Sequence, residues 1–341
     1  MKAVTAVIED HFAGRLPLVL NSKGCLAAFC HLMQVKFLNR AEGKLDRMTQ
    51  ASLPPYPSPN PLPEPPPTQR GRLNLPGVLP INGKQPLFWL YLGLKDMCHS
   101  PWLSLAHGLV MALGGGLITW LAHDRFWLLA SAVSGFLVVA PVLATSLYAM
   151  SRAIERNEAV NLRLLFKTWT QWQTLQNNEP VSYWCLVRFG LLLALAGTGW
   201  VMTSSALITL LAPVPIHTPM DFIRHVVLSR ESYLFELWLM LGGLMAAPVF
   251  ASSVVAMPLL LDRKLNTLQA VLTSWKVVLT HPMPMVLWAF LIMGLSMMGI
   301  LSLFIGLIVI VPMLGHASWH AYRDLVDTRD VPERMPRQEA V

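Results

Sequence analysis

Long apolar runs separated by short polar, charged segments set the pattern of this chain. Runs fall at residues 103–122, 126–150, 185–211, 233–260, 284–298 and 300–321. A membrane-crossing helix needs about 20 apolar residues, so these predict an all-α, polytopic bundle of about six transmembrane helices. The last two form one stretch too long for a single crossing, and a fold-back is expected near Gly299. That stretch turns polar at its end, as Gly315-His316-Ala317-Ser318-Trp319-His320-Ala321-Tyr322-Arg323-Asp324.

The apolar runs resolve into a threefold repeat of helical hairpins. Each unit opens with an amphipathic segment, marked by Leu94-Lys95, Trp172-Gln173 or Trp275-Lys276. A proline follows, Pro101, Pro180 or Pro282, and then a crossing. The return crossing carries a second proline, Pro141, Pro248 or Pro312, followed by small residues that permit close helix approach. The first two return segments agree at six of ten positions, and Arg152 and Arg323 each lie eleven residues after their proline. Asn161 and Asn266 are placed to cap amphipathic helices lying in the membrane interface.

Composition agrees with a membrane class. The 341 residues are 54% hydrophobic and 13% charged, where soluble domains carry roughly 25% charged residues. Net charge is +7, but no basic face with base-reading residues appears, so no nucleic-acid partner is expected. The Lys and Arg residues instead report topology. They crowd the segments before the first crossing, between the second and third, between the fourth and fifth, and after the last. Only Arg125, Arg224 and Arg230 lie on the other side, which predicts both termini in the cytoplasm.

Residues 1–84 read as a disordered, Pro-rich cytoplasmic head, residues 85–326 as the membrane domain and residues 327–341 as a polar cytoplasmic tail. Nine of the fourteen residues from Pro54 to Pro67 are proline, which favours extended polyproline II over a packed core. Composition changes at Met48, and one reading starts the native product there and leaves out residues 1–47.

Candidate chemistry is sparse. No HExxH, phosphate loop or nucleophile elbow is present, and no catalytic, cofactor or metal site is assigned. His316 and His320, four residues apart on one helix face, are the candidates for haem or metal ligation. Arg188 and Glu236 each lie one turn into a crossing rather than at midplane, so a proton-coupled pump is not indicated. The stripes Gly108/Ala112/Gly116 and Gly243/Ala247/Ala251 read as packing seams. The outer segment from Pro213 to Ser232 reads as a short capping helix, with a binding loop as the alternative.

Trp89, the stretch from Gly93 to Pro101, Ser104-Leu105 and Gly108, with Pro312 and the closing motif through Asp324, resemble a bacterial family of integral membrane proteins of unknown function. Some of its members are labelled a cytochrome c oxidase subunit. The resemblance implies a multi-pass protein of the bacterial inner membrane and brings no catalytic residues. Oxidase cores need several midmembrane His ligands, whereas here histidines crowd the helix ends. Pro141, Pro248, Pro312, Gly315, Trp319, Tyr322 and Arg323 are expected to be structural. The expected function is a non-enzymatic accessory or scaffolding component, in contact with the lipid bilayer and a membrane-protein partner. The alternatives are a small-solute transporter or channel with Pro-kinked helices, and a haem- or copper-associated respiratory factor.

Overall fold

The computed structural model describes residues 75–132, 135, 144–170, 173–176, 179–182, 184–229 and 232–334. The head before residue 75, Pro141 and the end of the tail lie outside them. In chain order the elements are β1 (Gly77–Val78), α1 (Gln85–His99), α2 (Pro101–Ala122), α3 (Thr145–Glu155), α4 (Leu162–Thr170), β2 (Gln173–Gln176) and β3 (Glu179–Ser182). Then come α5 (Trp184–Leu211), α6 (Pro219–Phe222), α7 (Leu234–Ser253), α8 (Ala256–Asp262), α9 (Thr267–Thr280), α10 (Pro282–Leu301), α11 (Leu307–Leu325) and β4 (Val326–Asp327).

Four helical stretches are long and apolar enough to cross a membrane: Pro101–Ala122, Cys185–Leu211, Leu234–Asp262 and Pro282–Leu301. They expose large apolar side chains, including Leu113, Trp120, Leu195, Leu244 and Met283. This is the surface a bilayer covers, so multi-pass insertion follows from both composition and exposure. The predicted second crossing falls partly on residues outside the described set. The predicted sixth corresponds to α11, whose second half is polar yet buried.

The chain closes on itself at one end. β1 pairs antiparallel with β4, Gly77 opposite Asp327. Leu79 N–H donates to the Leu325 carbonyl at 3.0 Å, His281 Nε2 to the Leu79 carbonyl at 2.9 Å, and Arg334 N–H to the Asp262 carbonyl at 2.8 Å. At the other end Phe126 N–H donates to the His217 carbonyl at 2.9 Å, within a small apolar cluster around Ile208, Ile216, Val226 and Leu234.

Three units recur around a common centre. The first holds α1, α2 and α3; the second α4, α5, α7 and α8; the third α9, α10 and α11. Units one and three match closely. Ser100 before Pro101 has φ −130°, ψ 64°, and His281 before Pro282 has φ −125°, ψ 59°. Each proline sits in the first helical turn, where it breaks no intrahelical bond. Counted back from those prolines, Trp89 matches Ala270, Gly93 matches Ser274 and Asp96 matches Val277, and all six are buried. The amphipathic helix of a unit packs on the return helix of the unit before it: α4 on α3, α9 on α7 and α8. α1 has no preceding unit and packs on α11 of the third, closing the ring. The return helices α3, α8 and α11 meet at the centre, where Tyr148, Ala149, Met257, Leu260, Ala317 and Trp319 form one core.

The ends of the return helices continue the pattern. Arg323 of the third unit pairs with Glu155 of the first at 2.8 Å. Arg152 of the first reaches Asp262 of the second at 4.0 Å. Glu155 and Asp262 both lie fourteen residues after the return proline. The third link is missing because both its partners are, with Leu259 and Val326 at the matching positions.

Several local expectations change. Pro180 lies inside the β2–β3 hairpin rather than at the start of a crossing, so the second unit lacks the helix-opening proline of the other two. The fold-back expected near Gly299 comes one turn later, at residues 302–306, with Leu303 and Phe304 at positive φ. Gly299 is buried in α10, and a Cβ there would collide with Leu307. On α2 the seam runs through Ser104, Gly108, Met111 and Gly115, whereas a Cβ on Gly116 meets nothing within 4 Å. Gly243 and Ala247 are exposed, so that stripe faces outward until Ala251. Pro248 and Pro312 both sit inside helices. Pro248 is exposed and Pro312 buried, so the two are not packed alike.

Candidate functional site

α11 carries the closing motif, and glycine lets it sit deep in the bundle. A Cβ on Gly93 of α1 would lie 2.5 Å from the Met313 carbonyl oxygen and 2.7 Å from Ala317 N. A Cβ on Gly108 of α2 would strike the Ile308 carbonyl, with Ile308 Cα at 2.6 Å. A Cβ on Gly315 itself would strike Leu147 of α3. Two helices, α1 and α2, thus approach α11 at backbone distance, Leu147 of α3 packs against Gly315, and the polar groups of the second half of α11 face α1, α2, α3 and Asp262 of α8.

The result is a buried polar chain. Ser104 and His316 Nε2 are 2.9 Å apart. His316 Nδ1 and Ser151 Oγ are 2.7 Å apart. Ser151 Oγ donates to Asp96 Oδ2 at 2.7 Å, and His320 Nε2 meets the same oxygen at 2.8 Å. Proton positions follow from these partners. Ser151 has one hydroxyl proton and gives it to the carboxylate, so it accepts from His316 Nδ1–H. His316 Nε2 is then the acceptor, and Ser104 donates to it. Ser104, Ser151 and His316 are fully buried and Asp96 nearly so, while the His320 side chain keeps 20% exposure. Burial by itself would raise the Asp96 carboxyl. The hydrogen bond and charge of His320 and the Ser151 hydroxyl outweigh it and hold the group below the ordinary carboxylate range. His107 stands apart, with Nε2 2.7 Å from Ser146 Oγ and Nδ1 2.7 Å from the Leu103 carbonyl.

The rest of the motif fastens other elements. Trp319 Nε1 donates to Glu155 at 3.0 Å, and Arg323 pairs with the same carboxylate. Tyr322 donates to Asp262 at 2.8 Å. Asp324 accepts from Trp89 Nε1 at 2.8 Å and Gln85 Nε2 at 2.7 Å. Asp262, 2% exposed, also faces Arg156 at 3.5 Å and Arg263 at 2.9 Å. Glu333 joins the same two arginines.

His316 and His320 therefore share one chain of bonds, and Gly315, Trp319, Tyr322 and Arg323 all contribute to packing or pairing. Pro141 lies outside the described residues. No group of three or more His, Cys, Asp or Glu poised to hold a metal occurs among the described residues. Ser151, Glu155 and Asp262 escaped sequence reasoning, and Asp96 and Ser104 entered it only through the family resemblance, with no role assigned. Asp96 had a signal, because Trp89, Gly93 and Asp96 fall on one helical face. An acid in phase with a buried tryptophan needs a partner inside the bundle. The segment from Pro213 to Ser232 holds a short helix, α6, closed by reciprocal bonds between Thr218 and Asp221.

Residues 128–262 match the model of a family described as a predicted integral membrane protein, DUF2189. The matched stretch runs from residue 128, within the second crossing predicted from sequence, to Asp262, where the second unit ends. It excludes both Trp89–Gly108 and the closing motif, the two places where the sequence resemblance lay. The match carries no oxidase label and no activity, and the chain is a multi-pass integral membrane protein of unknown function. Comparison with curated proteins and with solved structures gives no match.

Proposed function

We propose that the chain is a non-enzymatic structural component of the bacterial inner membrane, which holds or assembles with another membrane protein. The observation that carries this reading is that the bundle's ionisable groups, buried ones such as Asp96, Asp262 and His316 and the less buried Glu155 and Asp324, are already engaged within the bundle. Asp96, Glu155, Asp262, Asp324 and His316 are each bonded to side chains of other helices. Haem ligation by His316 would strip one ring nitrogen of its serine partner.

Both termini are proposed to face the cytoplasm, with six crossings. The contacts joining β1 to β4, Arg152 to Asp262 and Leu79 to His281 support this. They hold residues 77–79, 152, 262, 281 and 326 at one end, which implies a return crossing after α2 and another in α11. The basic segments gather at that end, the arrangement expected of a cytoplasmic face. The test is affinity purification of the tagged chain from mild detergent, with mass spectrometry. A recurrent membrane-protein partner is expected. Solute flux in proteoliposomes, or a Soret band in the purified protein, would refute a purely structural role.

A further inference from the structure

Three similar units in one chain create a problem of choice. α4 and α9 are directed to their return helices by short connections, but α1 must find α11 across most of the sequence. The return helices resemble one another, so α1 has competing sites. We propose that the part-buried polar bonds between α1 and α11 are the key that makes this choice, and that they serve selection rather than stability. On α11, His320 stands eight residues after the return proline, and the matching residues on the other return helices are Ala149 and Ala256. Asp324 stands twelve residues after it, and the matching residues are Ala153 and Leu260. On either wrong helix alanine stands at the His320 position, so the Asp96 carboxylate would lose its histidine partner, and Trp89 Nε1 and Gln85 would lose their acceptor. A buried charge without a partner is strongly unfavourable.

The third unit supplies an internal control. There the position of Asp96 is Val277 and that of Ser104 is Met285, both fully buried. α9 faces Ala256 and its neighbours in the same apolar core. This interface is built without a carboxylate or a histidine, so packing of an amphipathic helix on a return helix does not require them. Polar chains of this kind are known to fix pairing and register at some expense in stability.

The test replaces the key with residues from the other units. The triple variant Asp96→Val, His320→Ala, Asp324→Leu and the single variant His320→Ala are made in the full chain. Spin labels are attached through ketone side chains at Lys95 and Arg329, both exposed. In the wild-type background their separation is expected to be one narrow distribution. The triple variant is expected to show a second or broadened distance, because the two-residue β1–β4 ladder cannot hold α1 alone. It is also expected to melt above His320→Ala, which leaves Asp96 charged and short of a partner and melts at least about 6 °C below wild type. A single narrow distance in the triple variant overturns the proposal. So does a triple variant that melts below His320→Ala or fails to fold, since the polar chain would then supply stability rather than choice.

Discussion

Gly93→Ala sets two opposed effects against each other. Alanine inside a helix is favoured over glycine by about 0.5–1 kcal/mol, so an unopposed Gly→Ala change stabilises. At Gly93 the new methyl would lie 2.5 Å from the Met313 carbonyl oxygen and 2.7 Å from Ala317 N. Both are backbone atoms of α11, which cannot rotate aside, so the helices must separate. Overpacking of this kind costs about 1–3 kcal/mol. Separation would also stretch the bonds from Asp96 to His320 and from Trp89 to Asp324, which cross the same contact. The overpacking term exceeds the propensity gain, and a net loss of about 1–2 kcal/mol is expected. Gly116→Ala is the control, since it lies in helix α2 with nothing within 4 Å of the added atom. It should raise stability by up to about 1 kcal/mol. The assay is thermal unfolding of both variants in one detergent. Gly93→Ala melting as high as Gly116→Ala would refute the claim that α1 and α11 meet at backbone distance.

Gly315→Leu should destabilise by about 3 kcal/mol or more, because Leu147 is fully buried and cannot yield. Leu244→Val on the lipid-facing surface should leave the melt nearly unchanged; Phe250, half-buried against the core, would be a poor control. Tyr322→Phe removes one donor from buried Asp262 and should lower stability by about 1–3 kcal/mol in denaturant or thermal titration. The Asp96 carboxyl titrates lower in the folded protein than its ordinary value, so its contribution is present above the usual carboxylate range and lost as pH falls below it. Asp96→Asn should remove that limb from a melt-versus-pH series, and an unchanged acid limb would contradict the assignment. Reporter fusions at Thr218 and at Val341 should report opposite sides of the membrane, outside and inside, and a periplasmic C-terminus would exclude six crossings.

The length of the apolar runs determined the class of this protein, because a bilayer requires long unbroken apolar helices whatever their neighbours do. Local chemistry was equally legible in part. Asn266 closes α9 by a reciprocal bond with Gln269, and Asn161 accepts from Leu164 N–H at 3.0 Å. These depend only on residues three apart in sequence. The return prolines pointed to a repeat, His316 and His320 stood out as candidate ligands, and Gly315 was expected to be structural. What these residues bond to was decided by the tertiary structure. Asp96 is separated from His320 by 224 residues and Ser151 from His316 by 165. No periodicity encodes which helix faces which at such separations. The same holds for the seam on α2, where Gly115 rather than Gly116 faces inward. One residue is 100° of helix rotation, and the phase is set by the helix it packs against. The choice of α11 as the partner of α1 closes the ring of units, and it rests on contacts that exist only once the chain has folded.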